Sequence, residues 1–64
     1  MAISFGGYEK GTLLVQFDGG EVYQYSNVPE DVADGFRWAD AVGVSAGVYF
    51  HRYIKPRFNG VKIK

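Results

Sequence analysis

Nothing in this chain can staple a fold from outside its own core. Cysteine is absent and His51 is the single histidine among 64 residues, so a disulfide framework, a thiolate metal site and a multi-histidine cluster are all excluded. A chain of this length lies near the lower limit for folding without such aids. It must therefore form one domain over residues 1–64, held by dense apolar packing or by association with further copies of itself. An aromatic share of 17% supplies the means for dense packing, because large rings bury the most area per residue.

Periodicity places strands in the first half. Ile3 and Phe5 alternate with Ser4 in a short first strand, and Gly6-Gly7 after it signals a bulge or a close backbone approach. Thr12 to Phe17 sets Leu13, Val15 and Phe17 on one face, opposite Thr12, Leu14 and Gln16. Asp18-Gly19-Gly20 is a hairpin turn, since glycine tolerates the positive φ that tight loops demand, and Glu21 to Ser26 returns as a third strand. The first half thus reads as a three-stranded antiparallel meander. Tyr23 and Tyr25 share a face of the third strand, either within the core or as an aromatic platform able to stack on nucleobases.

The period then lengthens to that of helices. Asn27-Val28-Pro29-Glu30-Asp31 opens one, with proline in the first turn and acids opposing the positive end of the macrodipole. Val32, Phe36 and Ala39 recur on its buried stripe, and Trp38 lies off that line, placed either to finish the core or to anchor a partner. Gly35 costs such a helix about 1 kcal/mol relative to alanine, which points to close contact with a neighbouring element. Gly43 ends the helix, and Ser45 caps a second one that runs to about Lys55 before Pro56 forbids continuation. Phe50, Tyr53 and Ile54 form its apolar stripe, and Tyr49 and Tyr53 stack four residues apart. After Asn59-Gly60, the alternation Val61, Lys62, Ile63, Lys64 suits a short final strand whose lysines face solvent and protect an edge. The fold class is accordingly α+β: a three-stranded antiparallel meander, two short helices and a short C-terminal strand.

The net charge of +0 hides an asymmetry. All the acids, from Glu9 to Asp40, precede position 41, and beyond it stand only His51, Arg52, Lys55, Arg57, Lys62 and Lys64. A late cationic segment points to an anionic partner, with the complementing of helix C-termini as the purely structural alternative. With Tyr23, Tyr25 and Tyr49 available to stack, these residues form a candidate site for RNA or another nucleic acid. The other reading is a protein-interaction or sequestering module acting as a homo-oligomer, as a phage-encoded inhibitor or nucleotide sponge would, with a protein partner or an anionic nucleotide held between subunits.

Catalysis finds little to work with. Ser26 and Ser45 fit strand-end and cap roles, Glu30 and Asp31 complement a helix dipole, and no phosphate-cradling glycine string occurs, so neither an enzyme nor a cofactor is expected. The N-terminus lacks the basic and apolar regions of a secretory signal, and charged or glycine positions interrupt every apolar run before it could cross a bilayer. A cytoplasmic protein without membrane contact is the expectation.

Several residues together carry a family resemblance. Leu13-Leu14-Val15-Gln16-Phe17, the glycine turn, Tyr23-Gln24-Tyr25 as a YxY motif, and Asn27-Val28-Pro29 precede the first helix. Phe36 and Ala39 follow within it, then Ser45-Ala46-Gly47-Val48-Tyr49-Phe50 and Tyr53-Ile54-Lys55. In this order the chain resembles the KTSC domain, a module found at the C-terminus of some lysyl-tRNA synthetases and as stand-alone bacterial or phage proteins. The resemblance implies a compact α+β module and makes RNA a candidate partner.

Overall fold

The computed structural model describes residues 2–43 and 45–64. Strands β1 (Ile3–Glu9), β2 (Thr12–Phe17), β3 (Val22–Tyr25) and β4 (Gly60–Lys62) form one antiparallel sheet in chain order, β1-β2-β3-β4. Helix α1 (Glu30–Ala41) and a shorter helix α2 (Ala46–Tyr49) lie between β3 and β4 and cover one face of the sheet. The meander, the two helices and the C-terminal strand stand as the periodicity predicts.

The first strand runs well beyond Phe5, and the reason lies in Gly6. Phe5 pairs with Val15 while Gly7 pairs with Leu14, so Gly6 is an extra residue bulged out of the ladder. The bulge reverses the alternation, bringing Tyr8 opposite Leu13 and onto the same face as Ile3 and Phe5. A side chain at Gly6 would press on the Leu14 carbonyl oxygen at 3.1 Å. Lys10 (φ 52) and Gly11 (φ 84) close the hairpin with both turn residues left-handed, the geometry that matches strand twist. The next turn, Asp18–Gly20, is likewise built on positive φ at both glycines.

Ile3, Leu13, Val15 and Tyr25 from the sheet meet Val32, Ala33, Phe36, Phe50 and Ile54 from the helices in one core. The ring of Phe50 stands edge-on to both Phe17 and Tyr25, with centroids 5.6 Å away in each case. Phe36 packs between Phe5 and Tyr49. Each such side chain contributes roughly 1.5–3 kcal/mol by leaving water. Val28 is buried too, held by its N–H to the Gly11 carbonyl (2.9 Å) and by the Tyr8 hydroxyl, which donates to the Val28 carbonyl (2.6 Å). Trp38 has no place in this core and stands 63% exposed.

Ser45 caps α2, its hydroxyl oxygen accepting from the Val48 N–H at 3.2 Å. The helix then widens over Phe50–Ile54 into a π turn, in which the Lys55 N–H reaches the Phe50 carbonyl at 2.9 Å. This corrects the expected stripe of Phe50, Tyr53 and Ile54. A wider turn sets residue i+4 almost directly beneath residue i and swings i+3 aside. Phe50 and Ile54 therefore both enter the core, while Tyr53 is exposed beside Tyr49, with ring centroids 4.8 Å apart.

Two glycines exist to admit tyrosines. A Cβ on Gly35 would overlap the Tyr49 hydroxyl and lie 2.7 Å from its ring carbon Cζ. The hydroxyl, so placed, donates to the Val32 carbonyl of α1 at 2.9 Å. A Cβ on Gly60 would meet the Tyr25 ring at 2.5–2.6 Å, so β4 pairs with β3 only because Tyr25 can lie across a bare backbone. Tyr25 is 5% exposed, which settles it as a core residue. In β4, Lys62 falls on the helix-bearing face opposite Tyr23, whereas Val61 and Ile63 are exposed.

Burial pushes the Tyr25 hydroxyl above its ordinary pKa of 10.0, with Tyr23 adding to the effect. Tyr49 shifts the same way, first through burial and then through Asp31 and Tyr53, against the opposing pull of Arg57. In the unfolded chain both tyrosines ionise near 10.0, while in the folded one they stay protonated to higher pH. Folding then loses stability as pH rises from that value through the raised ones, and none is lost from this source below it.

Two outcomes are expected. Gly35→Ala, favourable by helix propensity alone, lowers stability by about 1–3 kcal/mol in denaturant titration, and the loss shrinks in a Tyr49→Leu background where the overlap is relieved. In alkaline titration the unfolding midpoint declines above about pH 10. The decline is shallower in Tyr49→Phe, which at neutral pH loses about 1 kcal/mol with its hydrogen bond.

Candidate nucleic-acid interface

The late cationic residues do not gather on one surface. His51 and Lys55, at either end of the π turn, join Tyr23, Tyr25, Phe17, Phe50 and Glu21 around a cavity of about 300 Å³. Lys62 stands directly across the ladder from Tyr23 on the same face. Two of the six bases therefore line one aromatic depression, and a third, Lys62, neighbours its Tyr23 across the ladder. Arg52 lines the groove between α1 and α2 with Trp38, Val48 and Tyr53, and shares a further depression with His51. Arg57 lies over the Phe58 ring, 5.5 Å from its centroid, in another depression with Ser26, Asn27 and Asn59. Lys64 ends the chain, its backbone paired with Val22.

The tyrosines divide likewise. Tyr23 is half-buried, steadied edge-on by Phe17 with centroids 5.1 Å apart, and keeps part of its ring on the cavity wall. Tyr25 forms the floor and, being enclosed by Phe50 and Gly60, has no free ring face for a base. Tyr49 is committed to the Val32 carbonyl and the Gly35 backbone on the other side of α2. The stacking surface thus reduces to Tyr23, because alternation along β3 cannot reveal which of two same-face tyrosines a helix will cover.

Sequence reasoning missed Phe17, Phe50 and Glu21 as cavity residues. Phe17 shares the face of Val15, and the β2–β3 register that aligns Val15 with Tyr23 is the signal that could have found it. Glu21 brings a carboxylate to the rim. The only ion pair among the described residues is Asp34–Arg37 at 3.8 Å, exposed and worth little. His51, Arg52, Lys55, Arg57, Lys62 and Lys64 are thus not neutralised by early carboxylates within the described residues.

Chemically, the cavity offers one ammonium group and an imidazole beside part of an aromatic face, with Lys62 on the neighbouring strand, a combination suited to binding an anion attached to a planar group. Among the described residues no group of three or more His, Asp or Glu is disposed to hold a metal ion, and no helix is long and apolar enough to cross a membrane.

Comparison with known proteins agrees with the fold. Over 47 residues, or 73% of its length, the chain is 43% identical to a lysine-tRNA ligase of Trichormus variabilis (strain ATCC 29413 / PCC 7937). That match spans 8% of the ligase. The model of the KTSC domain matches residues 2–58, which takes in the whole meander, both helices and the turn that follows them. With nearly its full length matched and the Tyr23-Gln24-Tyr25 strand at the centre of the sheet, the chain belongs to the KTSC domain family.

Proposed function

We propose that this domain is a non-catalytic binding module for a single-stranded nucleic acid, RNA foremost, seated at the cavity of Tyr23, His51 and Lys55 with Lys62 beside it. The observation that carries the reading is that His51 and Lys55 line the cavity beside the half-buried Tyr23, while Lys62 pairs with that tyrosine across the ladder. Lys55 follows the π turn, Lys62 comes from β4, and Tyr23 from β3. Flexible cationic side chains flanking a ring are the minimal equipment for holding a strand: the cations take phosphates while an unpaired base lies against the ring. The likeness to a segment of a lysine-tRNA ligase supports RNA over DNA as the first ligand to test.

The same geometry bounds the strength of binding. Net charge is +0, so no long-range field draws the ligand in, and Glu21 at the rim opposes a second phosphate nearby. With Lys55 and Lys62 as the phosphate contacts, the logarithm of affinity falls against the logarithm of salt with a slope of about −1.4, from about −0.7 per contact on a single strand.

Fluorescence anisotropy with a labelled single-stranded RNA tests this. Lys55→Glu with Lys62→Glu should abolish binding at low salt, whereas Arg37→Ala, outside the cavity lining, leaves affinity and salt slope unchanged. Glu21→Gln should tighten binding several-fold. An RNA affinity too weak to detect at about 20 mM salt, where electrostatic contacts are strongest, overturns the reading.

A further inference from the structure

Much of the domain's exposed apolar surface is concentrated between its helices. Trp38, Val42, Val48 and Tyr53 are four of the six large hydrophobic residues left exposed, and three of them line a groove of about 350 Å³ floored by Gly35 and Ala39. An exposed tryptophan beside an apolar groove is the usual anchor of a protein contact, since its ring gains most from leaving water at little entropic cost.

The elements that flank this groove differ in charge. Helix α1 carries Glu30, Asp31 and Asp34 against the single cation Arg37, while its Asp40 is turned to β1 and accepts from the Phe5 N–H. The segment from Ala46 to Ile54 carries His51 and Arg52 and no acid, and the Arg52 side chain lines the groove itself. The groove lining itself carries Arg52 and no acid, and the acids of α1 stand outside it, so an acidic helix beside a basic segment makes the pair self-complementary. A two-fold axis across the groove sets α1 of each copy against α2 of the other, so that acid meets base twice and each Trp38 enters the partner's groove. A net charge of +0 leaves no overall repulsion between two such copies. A nucleic acid fits this surface poorly, because phosphates would face the carboxylates of α1.

We propose that the groove between α1 and α2, anchored by Trp38, is the interface of a symmetric homodimer of this chain. It shares no lining residue with the Tyr23 cavity, so the two sites can be tested apart. Dimerisation also covers the apolar area that a chain of 64 residues leaves uncovered.

Size-exclusion chromatography with light scattering on the whole chain tests the proposal. The wild type should run at twice the chain mass of 7.1 kDa. Trp38→Glu and, from the opposite wall, Val48→Glu should run at the chain mass while keeping the wild-type circular dichroism spectrum, because both side chains are exposed and support no core contact. Asp34→Arg and Arg52→Glu should each weaken the dimer tenfold or more, and the double variant should recover it. A wild type that stays at the chain mass at about 1 mM overturns the proposal, since it bounds the dissociation constant above that value. So does a dimer that persists in Trp38→Glu and Val48→Glu, which would place the interface elsewhere. Anisotropy measured on the same samples separates the two surfaces: Lys55→Glu with Lys62→Glu should lose RNA and remain dimeric.

Discussion

Phe50 is where the two halves of this molecule become one. Its ring meets Phe17 and Tyr25 of the sheet edge-on and approaches Phe36 of α1, so a single side chain joins the meander to both helical segments. Whole-domain stability at this size is about 3–10 kcal/mol, and removing a buried phenylalanine costs about 3–5 kcal/mol. The fold therefore tolerates no slack at that position. The π turn lies at the same place, and across it Phe50 and Ile54 both reach the core while Tyr53 is left exposed.

Most of the architecture is legible in the residues. Alternation from Thr12 to Phe17, the Asp18-Gly19-Gly20 turn and the helical recurrence of Val32, Phe36 and Ala39 each correspond to an observed element. The reach of β1 is not legible, because the bulge at Gly6 reverses the alternation halfway and hides Tyr8 from a period-two reading. The exposure of Tyr53 escapes for a related reason: helical spacing presumes a constant turn, and the π turn breaks it. The meaning of Gly35 is half visible. Its cost in a helix signals a close neighbour, but that the neighbour is Tyr49, fourteen residues on, is a tertiary fact.

The site is less legible than the fold. A run of bases in sequence suggests a patch, yet a helical segment followed by a turn and a strand distributes successive side chains around the molecule. Thus Lys55 and Arg57, two residues apart across Pro56, line different depressions, while Lys55 lines the cavity of Tyr23 and Lys62 pairs with that tyrosine. What selects the cavity residues is their relation to Tyr23, which strand register determines and charge counting cannot. Exposure of Trp38 was equally undecided at the level of pattern, since a residue beside the buried stripe turns inward or outward according to how far the neighbouring helix extends. Here α2 is short and leaves it uncovered.

The order of strands in the sheet bears on how the chain acquires its shape. The first three pair with their immediate neighbours through tight turns, so the meander can zip locally with little loop-closure entropy. The fourth must wait, because it reaches β3 only after the whole helical segment has been laid down between them. Lys62 is carried on that latecomer, and a nascent or frayed molecule would hold its aromatic floor before it gained its last ammonium group. All three residues of that strand are exposed, so its own side chains give up little buried surface when the tail opens.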